Sequence, residues 1–153
     1  EEGRPMFLRR PDSHLGLANF MRSHLYASLA TLKIGLDILL KEEDVKIDSI
    51  TGHGGLFKTK GVGQSILAAA MNAPISVMET AGEGGAWGMA LLAAYMLSKK
   101  DGQSLGDYLD SRVFAERKSE TMEPDLADVA GFETYTKQYQ ACLAAEKAAV
   151  QAF

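Results

Sequence analysis

Cysteine is almost absent from this 153-residue chain, in which Cys142 stands alone. One cysteine cannot form an intrachain disulfide, and this excludes a small secreted module held together by disulfides. A single thiol beside seven methionines indicates a reducing, cytoplasmic location. We expect Cys142 to be a buried structural thiol.

Long apolar runs and an excess of positive charge are also missing. The longest apolar run, residues 66–71, is far shorter than the roughly 20 residues of a membrane-spanning helix, so we expect no membrane contact. The 16 basic residues are outnumbered by 20 acidic ones, whereas binding to nucleic acid requires a basic face. His14, His24 and His53 are too scattered to form a metal site with Cys142.

The overall composition is that of a globular protein. Apolar residues make up 46% of the chain and charged residues 24%, with a net charge of −4, which is typical of a globular domain. A chain of this length buries enough surface for one domain. Its first residue is Glu1 rather than methionine, and we expect the chain to be a fragment of a longer protein.

The apolar pattern predicts an α/β fold. Leucines that recur at steps of four and three predict a long helix from residue 17 to about residue 42. Three strands, at 4–10, 45–51 and 75–78, and four further helices, at 62–72, 86–99, 105–111 and 132–150, are predicted, with an acidic connector up to residue 128. The alternation of strands and helices predicts a mostly parallel sheet with helices on both faces, followed by a C-terminal helical tail.

Two glycine-rich turns follow predicted strands. The first is Gly52-His53-Gly54-Gly55, and the second covers residues 79–85. Because ligands of parallel sheets bind at the carboxyl ends of strands, we expect both turns on one rim. Glycines allow a backbone to approach an anion or a purine, but they also serve tight turns that bind nothing. The residues alone leave both interpretations open.

The two turns match two other functional motifs poorly. The first turn lacks the Gly-Lys-Ser/Thr ending of a P-loop. Glu79 and Glu83 in the second turn could form an acid and base pair, but we favour a role at the start of the following helix, where negative charge is stabilising. No catalytic residue is therefore predicted.

A family resemblance becomes specific along residues 17–94. The order Gly-His-Gly-Gly, helix, and then Ala-Pro-Ile-Ser-Val-Met-Glu-Thr-Ala-Gly-Glu-Gly-Gly-Ala-Trp-Gly-Met-Ala-Leu-Leu-Ala-Ala resembles the C-terminal domain of FGGY carbohydrate kinases. The spacing between the first turn and the Ala-Pro pair is most similar to the xylulokinase and ribulokinase branches. The resemblance implies an actin-like ATPase fold of the ribonuclease H-like kind, in which two domains close on ATP and a sugar.

The resemblance also implies cofactors, partners and site residues. ATP and Mg²⁺ would be the cofactors, a pentulose such as xylulose or ribulose the substrate, and the N-terminal domain of the same polypeptide the partner. The residues expected to lie against the nucleotide are Gly52, His53, Gly54, Gly55, Lys58 and Thr59. This chain departs from the family pattern by having His53 in the turn and Lys58-Thr59 where the family often has asparagine.

The predicted organisation is a nucleotide-binding half-domain, truncated at its N-terminus, over residues 1–100, with a helical tail over residues 101–153. The phosphate turns and the catalytic aspartate of the family have no counterpart in the chain, so we expect a kinase when intact and no turnover from this part. The alternative is a noncatalytic actin-like or Rossmann-like binding or assembly module whose glycine turns are structural. Whether the protein is a homodimer is left open.

Overall fold

The computed structural model of the chain describes residues 3–47, 49–115 and 119–152, which form an α/β protein. The helices are α1 (Leu17–Lys41), α2 (Val62–Met71), α3 (Gly84–Ser98), α4 (Leu105–Tyr108) and α5 (Leu126–Ala152), and the strands are β1 (Ile50–Gly52), β2 (Ile75–Met78) and β3 (Ser119–Met122). Short 3₁₀ turns occupy Gly55–Phe57 and Ala81–Glu83, and a π-helical turn occupies Leu109–Val113. No helix among the described residues is long and apolar enough to cross a membrane.

The three strands form one mixed sheet in the order β1-β2-β3. Strand β1 runs parallel to β2, with Gly52 opposite Val77, whereas β3 runs antiparallel to β2, with Glu120 opposite Val77. The prediction of a mostly parallel sheet is therefore wrong. Strand β3 falls in the predicted acidic connector, and three of its four residues are exposed, so it shows no apolar alternation.

The predicted strand at residues 4–10 is not formed. That segment has no regular structure, and its apolar residues Met6, Phe7 and Leu8 are about half exposed. Within the predicted strand 45–51, residue 48 lies outside the described residues, and only the last part becomes β1. The strand predicted at 75–78 is confirmed as β2.

The chain divides into two compact units, of which the first comprises Glu1–Ile47, Ile66–Asn72 and Pro124–Phe153. In this unit the buried face of α1 packs against α5. The ring centroids of Tyr26 and Phe132 are 4.7 Å apart, and Tyr135 meets Tyr26 edge-on at 5.2 Å. Phe132 is fully buried. These aromatic contacts, together with the area they bury, stabilise the pair of helices.

Helix α5 begins six residues before the predicted start at residue 132. Asp125 caps it, because its Oδ1 accepts hydrogen bonds from the backbone nitrogens of Ala127 and Asp128 at 2.9 and 3.0 Å. This is the usual geometry of an acidic N-cap. Cys142 lies on the same helix and is exposed, so the prediction of a buried thiol is wrong.

The second unit comprises Asp48–Ser65 and Ala73–Glu123, and it contains the whole sheet. Its buried residues include Ile75 on β2, Ala81 after β2, and Gln64 on α2. Helix α3 contains no buried residue. Its two methionines, Met89 and Met96, are 69% and 76% exposed.

Candidate functional site

The two glycine-rich turns lie side by side at one edge of the sheet. Gly52 ends β1 and Met78 ends β2, and these two strands are parallel. The backbone nitrogen of Gly54 in the first turn donates a hydrogen bond to the carbonyl oxygen of Ala81 in the second turn at 2.7 Å. The expectation that both turns share one rim is therefore confirmed, and we call this pair of turns the glycine rim.

Gly54 and Gly55 give the glycine rim an open backbone. Gly54 has φ 103° and ψ −172°, a conformation that is essentially restricted to glycine. A Cβ atom placed on Gly54 or Gly55 would meet no atom within 4 Å. The first glycine is required by the path of the chain, and the space in front of both is free for a ligand.

Gly52 has a different role from the other two glycines, because it is buried. A Cβ atom at this position would overlap the ring of Phe57. Only glycine allows the Phe57 ring to lie against the end of β1. The side chain at residue 57 is thereby held in place by the backbone of the turn.

The polar side chains of the first turn reach towards the second. The ring of His53 lies next to Gly84, where a Cβ atom would be 3.3 Å from its Nδ1. The aliphatic part of Lys58 lies next to Gly82, where a Cβ atom would be 3.2 Å from Cγ of Lys58. The Nζ atom of Lys58 forms an ion pair with Oε1 of Glu83 at 2.7 Å. Both partners of this pair are more than half exposed, so it contributes at most about 1 kcal/mol.

The prediction that an acidic residue stands at the start of α3 is confirmed for Glu83, but no side-chain cap forms there. Glu83 is the N-cap of α3, but its side chain makes no capping hydrogen bond, because its carboxylate is turned towards Lys58. Glu79 lies on the wall of a neighbouring cavity.

This cavity has a volume of about 360 Å³ and adjoins the glycine rim. Its walls come from the loop before α2, the first turn of α2, the end of β2 and the start of β3: Phe57, Thr59, Lys60, Gly61, Gln64, Val77, Met78, Glu79, Ser119 and Glu120. Thr59 is the single predicted site residue among them. Two of the lining residues form an ion pair, in which Nζ of Lys60 is 3.0 Å from Oε2 of Glu120.

Gln64 also lines this cavity, although the sequence did not predict it as a site residue. Its side chain is buried, and Nε2 donates hydrogen bonds to the carbonyl oxygens of Ile75 at 2.7 Å and Glu120 at 2.8 Å. The amide thus ties α2 to both β2 and β3. A polar side chain that interrupts an apolar helix is a sequence signal for such a role, but its partners appear only when β3 is known.

Comparison with known proteins relates the chain to one family. The model of the FGGY family of carbohydrate kinases, C-terminal domain, matches residues 1–97, which include the glycine rim and most of α3. Comparison with curated proteins and with solved structures returned no match. The matched family implies an actin-like ATPase fold and, in intact members, a sugar kinase that uses ATP and Mg²⁺ together with an N-terminal domain.

Proposed function

The chain belongs to the FGGY family of carbohydrate kinases, and we propose that it forms the ATP side of the catalytic cleft of such a kinase. The observation that carries this proposal is the hydrogen bond between Gly54 and Ala81, which holds two glycine turns together at the carboxyl ends of two parallel strands. Ligands of open α/β sheets bind at this edge. The rim offers backbone atoms without side chains in front of them.

In this proposal the backbone of the first turn lies against the nucleotide. Gly54 and Gly55 supply the open surface, and Gly52 fixes the end of β1 through its contact with Phe57. A backbone of this kind can approach a phosphate or a ribose more closely than one that carries Cβ atoms. A bound phosphate would therefore contact main-chain atoms first.

Side chains add charge and hydrogen-bonding capacity to the same rim. The side chain of Lys58 is 58% exposed and forms an exposed ion pair with Glu83, so its ammonium group can exchange Glu83 for a phosphate at little cost. His53 and Thr59 are exposed beside the turn and provide further polar contacts. These three residues and the three glycines are the complete proposed set.

The remaining parts of the proposal concern the intact kinase. We propose a cytoplasmic enzyme for a pentulose, xylulose or ribulose, in which residues 1–100 form the nucleotide-binding half-domain and residues 101–153 its helical tail. Among the described residues there is no group of three His, Cys, Asp or Glu side chains that could hold a metal ion. The proposal assigns no Mg²⁺ ligand and no catalytic base to this chain, which we expect to be inactive by itself.

The substitution Gly55→Asp in the intact kinase tests the proposal. A carboxylate at this open position would project into the space proposed for ATP, so we expect KM for ATP to rise about tenfold or more, as for the loss of ~1.4 kcal/mol of binding. KM for the sugar should change little. Steady-state kinetics with each substrate varied in turn gives both values.

Gly35→Asp is the matched control for this test. Gly35 lies on α1 and is not part of the glycine rim, and a Cβ atom there would also meet nothing within 4 Å, so the substitution adds the same charge at an equally open position. Its KM for ATP should stay unchanged. Equal increases of both KM values in Gly55→Asp would contradict the assignment of this turn to ATP.

A further inference from the structure

The side-chain amide of Gln64 is held in one orientation. Both of its hydrogen-bonded partners, the carbonyl oxygens of Ile75 and Glu120, are acceptors. A flipped amide would place Oε1 against these two oxygens at less than 3 Å, which is repulsive, so the NH₂ group must face the strands. Its two hydrogens are then fully used by the sheet.

The oxygen at the other end of this amide is not used by the two strands. Oε1 of Gln64 accepts no hydrogen bond from the described residues, which use Gln64 only as a donor. No enclosed side-chain nitrogen or oxygen in the described part of the chain lacks a partner, so Oε1 cannot be sealed in the interior. Because Gln64 lines the cavity, we place this oriented acceptor at the cavity wall.

The rest of the cavity suits a flat heterocycle. The ring of Phe57, held against Gly52, lines it together with the apolar side chains of Val77 and Met78. Aromatic rings stack on planar bases of any sequence. A volume of about 360 Å³ lies within the range of small-molecule sites.

We propose that Gln64 selects adenine as the base of the nucleotide by accepting a hydrogen bond from the exocyclic amino group of adenine at Oε1. This inference rests on the proposed ATP-side function. Hypoxanthine and guanine carry a carbonyl oxygen where adenine has its amino group. Each of these two bases would place an acceptor against an acceptor that cannot turn, because β2 and β3 hold the amide.

Nucleotide titrations of the wild-type chain test the selection without any substitution. The probes are ATP, ITP and purine riboside triphosphate, which carry an amino group, a carbonyl oxygen and a hydrogen at position 6 of the base. We expect ATP to bind best and ITP to bind worst, with dissociation constants that differ by about tenfold or more, since the ITP complex leaves a buried polar group unpaired. Two-dimensional NMR of the backbone amides follows weak binding.

The variant Gln64→Met provides the second arm, because it keeps the length of the side chain and removes the acceptor. Its ratio of ATP to ITP dissociation constants should fall to about one, whereas purely structural damage would weaken both nucleotides and preserve the ratio. The control is Ser76→Ala, which removes the hydroxyl contact between Ser76 and Thr121 on the same strand pair outside the cavity. Its ratio should remain that of the wild type. If Gln64→Met does not fold, the three wild-type titrations decide.

The outcomes separate this inference from the proposed function. Shifts at the amides of Gly54 and Gly55 with equal affinity for all three nucleotides would overturn adenine selection and leave the ATP-side function standing. An unchanged ratio in Gln64→Met would also overturn the selection. An absence of shifts at the glycine rim with every nucleotide would overturn both proposals.

Discussion

The substitution Gly54→Ala should distort the glycine rim although there is room for the added methyl group. No atom lies within 4 Å of the Cβ position, so the cost does not come from a steric clash with a neighbour. It comes from the backbone, because φ 103° with ψ −172° is a region that alanine avoids. A residue forced into such a region costs about 1–3 kcal/mol. We expect the variant to lose this amount of stability, or to change the turn and lose the hydrogen bond to Ala81.

Gly55→Ala is the matched control for this prediction. The neighbouring glycine has equally open surroundings, but its φ is not positive, so its free energy of unfolding should change by less than about 0.5 kcal/mol, as for other surface substitutions. Urea denaturation measures the two free energies. Hydrogen exchange of the amide of residue 54 reports directly on its bond to Ala81. If the two variants were equally stable and equally protected, the reasoning from the backbone conformation would be refuted.

Two predictions concern the first unit. Burial tends to raise the pKa of Asp37, but hydrogen bonds from Lys33 at 2.6 Å and Lys41 at 3.1 Å outweigh it and lower the pKa. Asp37→Asn should therefore lower the free energy of unfolding at pH 7. The difference from the wild type, measured by urea denaturation, should shrink as the pH falls through and below the ordinary aspartate pKa of about 3.9. A difference that is constant from pH 7 to pH 3 would contradict this. Phe132→Ala should cost about 3–5 kcal/mol, because the fully buried ring leaves a cavity. Leu143→Ala on the same helix should cost much less, because the Leu143 side chain is 42% exposed; similar losses would contradict the assignment of the core.

The parts of the fold that the sequence predicted well are those with strong local signals. The leucine spacing placed α1 within one residue of its observed end at Lys41, because a helix with an apolar stripe is specified by its own residues. The short strand β2 was correctly placed, since it is apolar and bounded by turn residues. The start of α5 was missed because Asp125 was interpreted as part of an acidic connector rather than as an N-cap.

Strand β3 could not be predicted for a physical reason. Its residues, Ser119–Met122, are mostly polar and exposed, so nothing in their order distinguishes them from a loop. They become a strand because the edge of β2 offers backbone partners and because Gln64 binds the carbonyl oxygen of Glu120. The cavity was missed for the same reason, since one of its walls is β3.

The glycine rim shows which departures from the family pattern the proposed site can tolerate. His53, Lys58 and Thr59, where this chain differs from the pattern or adds to it, are all exposed, so their side chains can change without disturbing the turn. Gly52 and Gly54 are constrained by a ring contact and by the backbone conformation, and Gln64 is constrained by two strand carbonyls. Binding that depends on main-chain atoms and on one oriented amide would therefore survive the loss of the asparagine, whereas a change at these three constrained positions would alter the site itself.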